Sequence, residues 1–533
     1  MAANAITFHP EQSITPHTPE KNLPGGWVVQ KFGGTSVGKF PLNITGIVEA
    51  GVKNNRIAIV CSARSNNTKI EGTTNRLLRA AREAEKAGTR HYDPIVATVR
   101  DDHIASGVAN IKTEDILASY NLAVEAECAS LTKILESAQH LEEVSTRAED
   151  KIISKGEKLA CLFMVAVLQD RGVPAQYVDL ADVVKLEGGA HSLTERFYAD
   201  LTARLAEQIR ACGDKVPVMT GYFGNVPGGL LNGVGRGYTD LCAALVAVGI
   251  GAEELQIWKE VDGIFTADPR KVPTASLLQS VTPAEAAELT FYGSEVIHPF
   301  TMEQVIRARI PIRIKNVMNP RNAGTVIFPD PETEVDPRAP LRDPRLFRTR
   351  SASNANGLVA SKPKRPTAVT IKRQIVVINV HSNKRTRAHG FLMNIFSTLD
   401  RWHLSVDLIS SSEVHVSMAL HSESAAMAGT SAGPGEEGWR VQDDELLGAV
   451  RDLEQHGTVD LVPNMAIISL VGRQLKNMVG ISGRFLGVLG ECGINIEMIS
   501  QGASEINISC VIEEREADRA LNVVHTNLFT FLE

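Results

Sequence analysis

The chain has 533 residues, 43% of them hydrophobic, which is core enough for two to four domains at roughly 100 to 200 residues each. Its 62 acidic side chains outnumber 55 basic ones, for a formal charge of −7, so it offers no basic footprint for nucleic acid or a membrane surface. Seven scattered cysteines, with no CxxC pair and no histidine at zinc-ligand spacing, argue against a disulfide scaffold or a cysteine metal site and read as small buried hydrophobes in a reducing compartment.

Residues 1–25 are Pro-rich and polar, lack the apolar core of a signal peptide or the arginines of a transit peptide, and read as a disordered start. No apolar run reaches bilayer-spanning length, so the expected location is cytoplasmic. The apolar strand Trp27-Val28-Val29 then leads into Lys31-Phe32-Gly33-Gly34-Thr35-Ser36-Val37. Glycines between a strand and a helix let backbone N–H groups approach an anion, and a lysine at the strand end can neutralise a phosphoryl group. The same residues would also serve a turn that uses glycine only for its backbone geometry. Gly33 to Lys39 matches the GxxxxGK of a P-loop, but Phe40 stands where magnesium needs Ser or Thr and Pro41 interrupts the helix, so any phosphate cradle works through Lys31.

From residue 26 to about 330 apolar strands (57–60, 175–178, 216–219, 254–258, 312–314) alternate with helical stretches such as 114–138 and 149–170. This is the α/β pattern of a mainly parallel sheet sandwiched by helices, with ligands expected beyond the carboxyl ends of the strands. Composition changes at Pro329, and residues 331–366, rich in proline and charge, read as a linker. An internal repeat follows. Leu399 to Ser410 lines up with Leu489 to Ser500, Gly390-Phe391 with Gly480-Ile481, and Ser412 to Ser417 with Ser504 to Ser509. Each copy reads as strand, glycine-led helix and hairpin, giving two ferredoxin-like βαββαβ modules at 367–463 and 464–533, with a loose insertion at 422–438. Too little chain follows the last helix, about 515–528, to close the second module, so a strand near 368–371 is expected to be lent to it.

Four polar constellations accompany the cradle. They are Ser62 after a strand, Gly156-Glu157 on a helix, Gly235-Arg236-Gly237-Tyr238-Thr239-Asp240 opening the apolar helix 241–249, and Val261-Asp262-Gly263-Ile264-Phe265-Thr266-Ala267-Asp268-Pro269-Arg270. Each alone has an ordinary reading as a solvated helix residue, a turn charge or a helix cap. In this order, with Val296-Ile297-His298-Pro299 and the repeat, the sequence resembles the aspartokinases of the amino-acid kinase superfamily, in the single-activity form most like that of fungi, with tandem amino-acid-sensing ACT domains.

The resemblance implies transfer of the γ-phosphoryl of MgATP to the side-chain carboxylate of L-aspartate. Such chemistry asks for positioning and charge stabilisation, so lysine, guanidinium and backbone donors should prevail over acid–base groups. By the resemblance Lys31, Gly33, Gly34 and Ser36 hold phosphate and Asp240 orients Lys31. Arg236 clamps the α-carboxylate of aspartate in a bidentate pair, and Glu157 takes its ammonium group. Ser62 and Thr74 are further donors, with Tyr222 as a wall. Lys259, Val261, Asp262, Phe265 and Arg270 serve the nucleotide. One departure stands out. Bacterial aspartokinases commonly place a second lysine before the His-Pro pair, where this chain has Glu295, leaving Lys259 or Arg270 to compensate and His298 as either a catalytic or a buried structural histidine. No metal site made of protein side chains is assigned. A kinase acting on another amino-acid carboxylate, or a nucleotide-binding sensor without kinase activity, are the competing readings. The first sensing module is expected to bind L-threonine near Asn379, His381, Ser382, Gly390, Phe391, Leu392, Val406 and Asp407, and the ACT modules to support a homodimer or tetramer.

Overall fold

The computed structural model describes residues 25–65, 72–86, 88–184, 195–224, 226, 229–230, 237–292, 297, 299–328, 365–382, 390–412, 414–421, 427–432, 436–441, 443–473, 475–502 and 506–530. The chain folds as two compact units, one comprising residues 1–260 and 307–312, the other residues 261–306 and 313–533.

The first unit is built on five parallel strands: β1 (Trp27–Phe32), β2 (Arg56–Cys61), β3 (Ala175–Val178), β4 (Val216–Thr220) and β5 (Glu254–Lys259), side by side in the order β3-β4-β2-β1-β5. Between them come α1 (Gly34–Lys39), α2 (Pro41–Gly51), α3 (Thr73–Ala84), α4 (Asp93–Asn110), α5 (Glu114–Leu141), α6 (Thr146–Asp170), α7 (Glu195–Arg210) and α8 (Tyr238–Ile250). Strands covered on both faces read as unbroken apolar runs, and Ile57 to Cys61 is buried throughout. Pro41, which rules out a P-loop helix, sits at the first turn of α2, where a missing N–H costs nothing. Helix α8 starts at Tyr238, earlier than the apolar run 241–249 suggests, because Gly237 serves as its N-cap; Asp240 therefore lies in its first turn, the end that favours an acid.

The second unit holds β6 (Ser280–Val281), α9 (Pro283–Phe291), α10 (Pro299–Arg307), β7 (Ile312–Asn316) and β8 (Thr325–Ile327), and then the two repeats. The first repeat contributes β9 (Ala368–Ser382), α11 (Phe391–Arg401), β10 (Val406–Ser411), β11 (His415–His421) and α12 (Asp444–Leu453). The second contributes β14 (Gly457–Val471), α13 (Ile481–Glu491), β15 (Met498–Ser500), β16 (Asn507–Glu513) and α14 (Ala517–His525). The two repeats share one sheet, β10-β11-β9-β14-β16-β15. Its long central strands serve both cores. Val376, Ile378 and Val380 of β9 pack with α11 and α12, whereas Val369 joins Ile468, Leu470, Phe485 and Leu521. Near the crossing, Gln374 and Asn464 take φ of 57° and 56°, and the β9–β14 register shifts there. The insertion expected to be loose contains an antiparallel pair, β12 (Met427–Ala432) with β13 (Glu436–Val441).

Helix α9 is tied to this sheet. Glu285 closes a capping box with Thr282 and uses its other oxygen to accept the Thr367 hydroxyl at 2.6 Å and the Arg473 N–H at 3.1 Å. Glu288 accepts from Asn507, the Tyr292 carbonyl accepts the Thr370 hydroxyl, and the Tyr292 ring packs among Ile375, Val377, Met465 and Val511.

Candidate active site

Lys31 ends β1 between β2 and β5, and its ammonium group lies 2.8 Å from Asp240 on α8, the two side chains being only 12% and 18% exposed. The two glycines after it do different work. A Cβ on Gly34 would stand 2.1 Å from the Ala63 carbonyl, so close backbone approach excludes any side chain, and the Gly34 carbonyl accepts the Ser65 N–H at 3.0 Å. A Cβ on Gly33 would meet nothing within 4 Å, which leaves its backbone approachable by an anion. Ser36 is fully buried and donates to Glu260 at 2.7 Å, so its hydroxyl is engaged with a carboxylate at the end of β5.

Helix α6 supplies the second group. Glu157 is buried and accepts from the Gly221 N–H at 2.9 Å, the Tyr222 N–H at 3.1 Å and the Thr239 hydroxyl at 2.7 Å. Burial pushes its carboxyl up to about 7, against the pull of these donors. It thus holds both ends of the segment between β4 and α8, and Thr239 stands beside Asp240. Gly156 lies against Ala63, Thr73 and Leu77, where a Cβ would come within 3.0–3.1 Å of side chains. The Arg64 carbonyl accepts the Thr73 N–H at 3.0 Å, joining the stretch that carries Ser62 to the helix start that carries Thr74; both of those side chains are half-buried. Tyr222 is buried.

The second unit carries the remaining nucleotide candidates after Lys259, which itself ends β5. Asp262 accepts from Asn316 at 3.0 Å and Asn319 at 3.2 Å. Gly263 has φ +148° beneath Thr325, whose hydroxyl accepts the Ile264 N–H. Phe265 bridges to Leu277, and Val261 is exposed. Arg270 is 85% exposed and makes a fork to Asp268 through its Nε and a terminal nitrogen, both at 3.0 Å. Arg236, Glu295 and His298 lie outside the described residues.

In the first repeat, Gly390 takes φ +83° at the N-cap of α11, Phe391 enters the core and Leu392 is exposed. Asn379 accepts from Ser417 at 2.6 Å, and the His381 and His415 rings meet at a tilt of 47° with their Nδ1 atoms 3.0 Å apart. The Ser382 N–H donates to Val414, and Val406 is half-buried. Asp407 is engaged rather than open: its oxygens lie 2.7 and 2.8 Å from Lys372, whose ammonium group also sits 4.6 Å from the centroid of the Phe291 ring.

Sequence reasoning passed over Asp150, Asn316 and Asn319, and gave Thr239 and Glu260, which lie inside stretches it singled out, no role of their own. Asp150 lies two turns before Glu157 on α6, but only the folded chain pairs these residues with their partners. Among the described residues no group of three or more His, Cys, Asp or Glu side chains could hold a metal ion, and no helix is long and apolar enough to cross a membrane. A magnesium ion carried on phosphate needs no such cage, since one or two carboxylates suffice beside the phosphate oxygens; Asp240 and Glu260, bonded to Lys31 and Ser36, are of that kind.

Residues 26–316 match the amino acid kinase family and residues 468–528 an ACT domain. The fold thus defines an amino-acid kinase with a C-terminal ACT domain. The chain is 51% identical over 513 residues to the aspartokinase of Candida albicans, covering 95% of this chain and 90% of that one. It aligns with crystal structures of Escherichia coli aspartokinase III at 26% identity, covering 94% of this chain and 99% of that one: TM-score 0.69 for the complex with aspartate and ADP (R-state), and 0.68 for that with lysine and aspartate (T-state). The chain belongs to the aspartokinases.

Proposed function

We propose that this chain transfers the γ-phosphoryl of MgATP to the side-chain carboxylate of L-aspartate in the cytoplasm, opening the route to threonine and methionine, and that L-threonine restrains it. The observation that carries the catalytic part is the Lys31–Asp240 pair beside the open backbone of Gly33. An aspartate oxygen attacks the γ-phosphorus, the bond from that phosphorus to the bridging oxygen breaks, and ADP leaves with the electron pair. The nucleophile is already an anion at neutral pH, so the step asks for no general base, only for charge neutralisation and alignment. Lys31 with the N–H groups of Gly33 and Gly34 steadies the moving phosphoryl, and Asp240 keeps the lysine aimed. Magnesium, when bound, spreads charge from the phosphate oxygens, with Asp240 and Glu260 as its available carboxylates. Arg236, Glu157, Ser62, Thr74 and Tyr222 receive aspartate, and Lys259, Val261, Asp262, Phe265 and Arg270 receive the nucleotide.

Threonine, rather than the lysine bound to the E. coli enzyme, is favoured by the likeness to fungal aspartokinases. It would lie at the Gly390 end of α11, near Asn379, His381, Ser382, Val406 and Asp407, its carboxylate taken by N–H groups. Exposed Leu392, Met393 and Phe396 on α11 support self-association through this module. Trapping the acyl phosphate with hydroxylamine across a panel of amino acids tests the assignment: aspartyl hydroxamate alone is expected, another hydroxamate would mark a kinase of a different carboxylate, and none would mark a sensor.

A further inference from the structure

Two buried carboxylates on α6 grip the same stretch of chain. Asp150 and Glu157 are two helical turns apart, so both project from one face. Glu157 holds the start of the segment joining β4 to α8 through Gly221 and Tyr222, and its end through Thr239. Asp150, 5% exposed, accepts the N–H of Leu230 at 2.6 Å in the middle of that segment, and Leu230 is itself buried. Gly229 turns with φ +86° directly over the carboxylate, where a Cβ would stand 3.4 Å from the same oxygen. The negative charge of Asp150 reaches Tyr222 as well, adding to the burial that pushes the phenol up to about 12. A buried acid is costly to keep unless donors replace its water, and here one donor is a backbone amide in the segment that carries the aspartate-binding candidates.

We propose that Asp150 is a positioning residue for the kinase reaction: it holds the Leu230 amide while Glu157, two turns along the same helix, holds Gly221, Tyr222 and Thr239, and this paired grip sets the placement of Tyr222 and of Asp240 opposite Lys31. The inference rests on the reading that this segment takes aspartate. An attachment at Leu230 beside those at Gly221, Tyr222 and Thr239 shortens the stretches of chain left between fixed points, and a shorter stretch costs less to order. Asp150 touches neither substrate nor phosphate in this scheme.

The test uses Asp150→Ala and the isosteric Asp150→Asn in the full-length protein, with steady-state kinetics for both substrates and hydrogen exchange of backbone amides. Asp150→Ala is expected to raise KM for aspartate by about tenfold or more while KM for ATP stays within about twofold, with Asp150→Asn in between. Exchange at the Leu230 amide should quicken by at least about tenfold, while amides in the middle of α6 and β4 keep their rates. An unchanged Leu230 amide overturns the proposal, as does equal loss for both substrates with faster exchange along the whole of α6, which would mean a purely structural role. Arg236→Ala serves as the control: if it leaves KM for aspartate unaltered, the aspartate reading of the segment falls, whereas the Leu230 amide judges Asp150 independently.

Discussion

Replacing Glu157 with glutamine should make the protein relatively more stable as pH rises, and the structure sets the size of the effect. Glutamine can keep the observed bonds: its oxygen accepts the Gly221 and Tyr222 N–H groups, which both meet one carboxylate oxygen, and its NH2 donates to the Thr239 hydroxyl, which turns from donor to acceptor. What it removes is the ionisation. Burial raises the Glu157 carboxyl from its ordinary 4.5 to about 7, and at 1.36 kcal/mol for each pH unit this is worth about 3 kcal/mol. A raised carboxyl favours the folded state fully below about pH 4.5, where both states are protonated, and that advantage is lost as pH climbs through about 7, because the unfolded chain ionises first. The wild type should therefore fall relative to Glu157→Gln by about 3 kcal/mol between pH 4.5 and 8, or about 6–12 °C in the melting midpoint of a unit of this size. Thermal melts of both proteins across that range, at constant ionic strength, measure the gap. A gap that stays flat would show that the donors around Glu157, the Tyr238 hydroxyl among them, outweigh burial and that Glu157 ionises like an ordinary glutamate.

Lys31→Ala should keep the circular dichroism spectrum and lower turnover by about two orders of magnitude or more, since the lost charge matters most in the transition state; turnover within a few-fold of the parent would remove Lys31 from the mechanism. Arg236→Ala should chiefly raise KM for aspartate, by about tenfold or more, with a smaller change for ATP; equal losses in both would indicate misfolding. Activity should fall with rising threonine, and Ser382→Ala should relieve that inhibition without altering uninhibited turnover; inhibition by lysine instead would overturn the effector assignment.

The kinase chemistry was legible because it is written in short local pieces: a lysine ahead of paired glycines, an Arg-Gly-Tyr-Thr-Asp turn, and a strand followed by Asp262-Gly263. The repeat was legible because each copy opens its helix with glycine, and both Gly390 and Gly480 do sit at positive φ. Contacts between distant parts of the chain left no such mark. Nothing local ties Ser36 to Glu260, or Asp150 to Leu230, since each pairing is made by tertiary packing rather than by spacing along the chain. Of the two left-handed residues near the β9–β14 register shift, Asn464 follows Pro463 and is of a type that tolerates the left-handed region, whereas Gln374 sits in an otherwise strand-like run and gives no local sign of its φ of 57°. The insertion misled for the opposite reason, as Ala, Gly and Ser disfavour strands locally yet Met427–Ala432 pairs with Glu436–Val441.

Asp407 sharpens what threonine inhibition would require. Its carboxylate is 4% exposed and already meets the Lys372 ammonium group, so an effector amine must displace or share that lysine. Among the described residues, Lys372 deprived of Asp407 would keep its side-chain contact with the ring of Phe291, which is weaker than a buried ion pair. Phe291 ends α9, the helix whose Glu288 and following Tyr292 are bonded to strands of the sheet shared by the two repeats, and whose Glu285 is bonded to residues just outside β9 and β14. A change at Asp407 is therefore felt first at the end of a kinase helix, within one compact unit. Because coupling is reciprocal, whatever aspartate or ATP does to that helix must alter threonine affinity by the same factor. A threonine affinity unchanged by saturating substrates would mean that Asp407 and α9, though joined through Lys372, are not energetically linked.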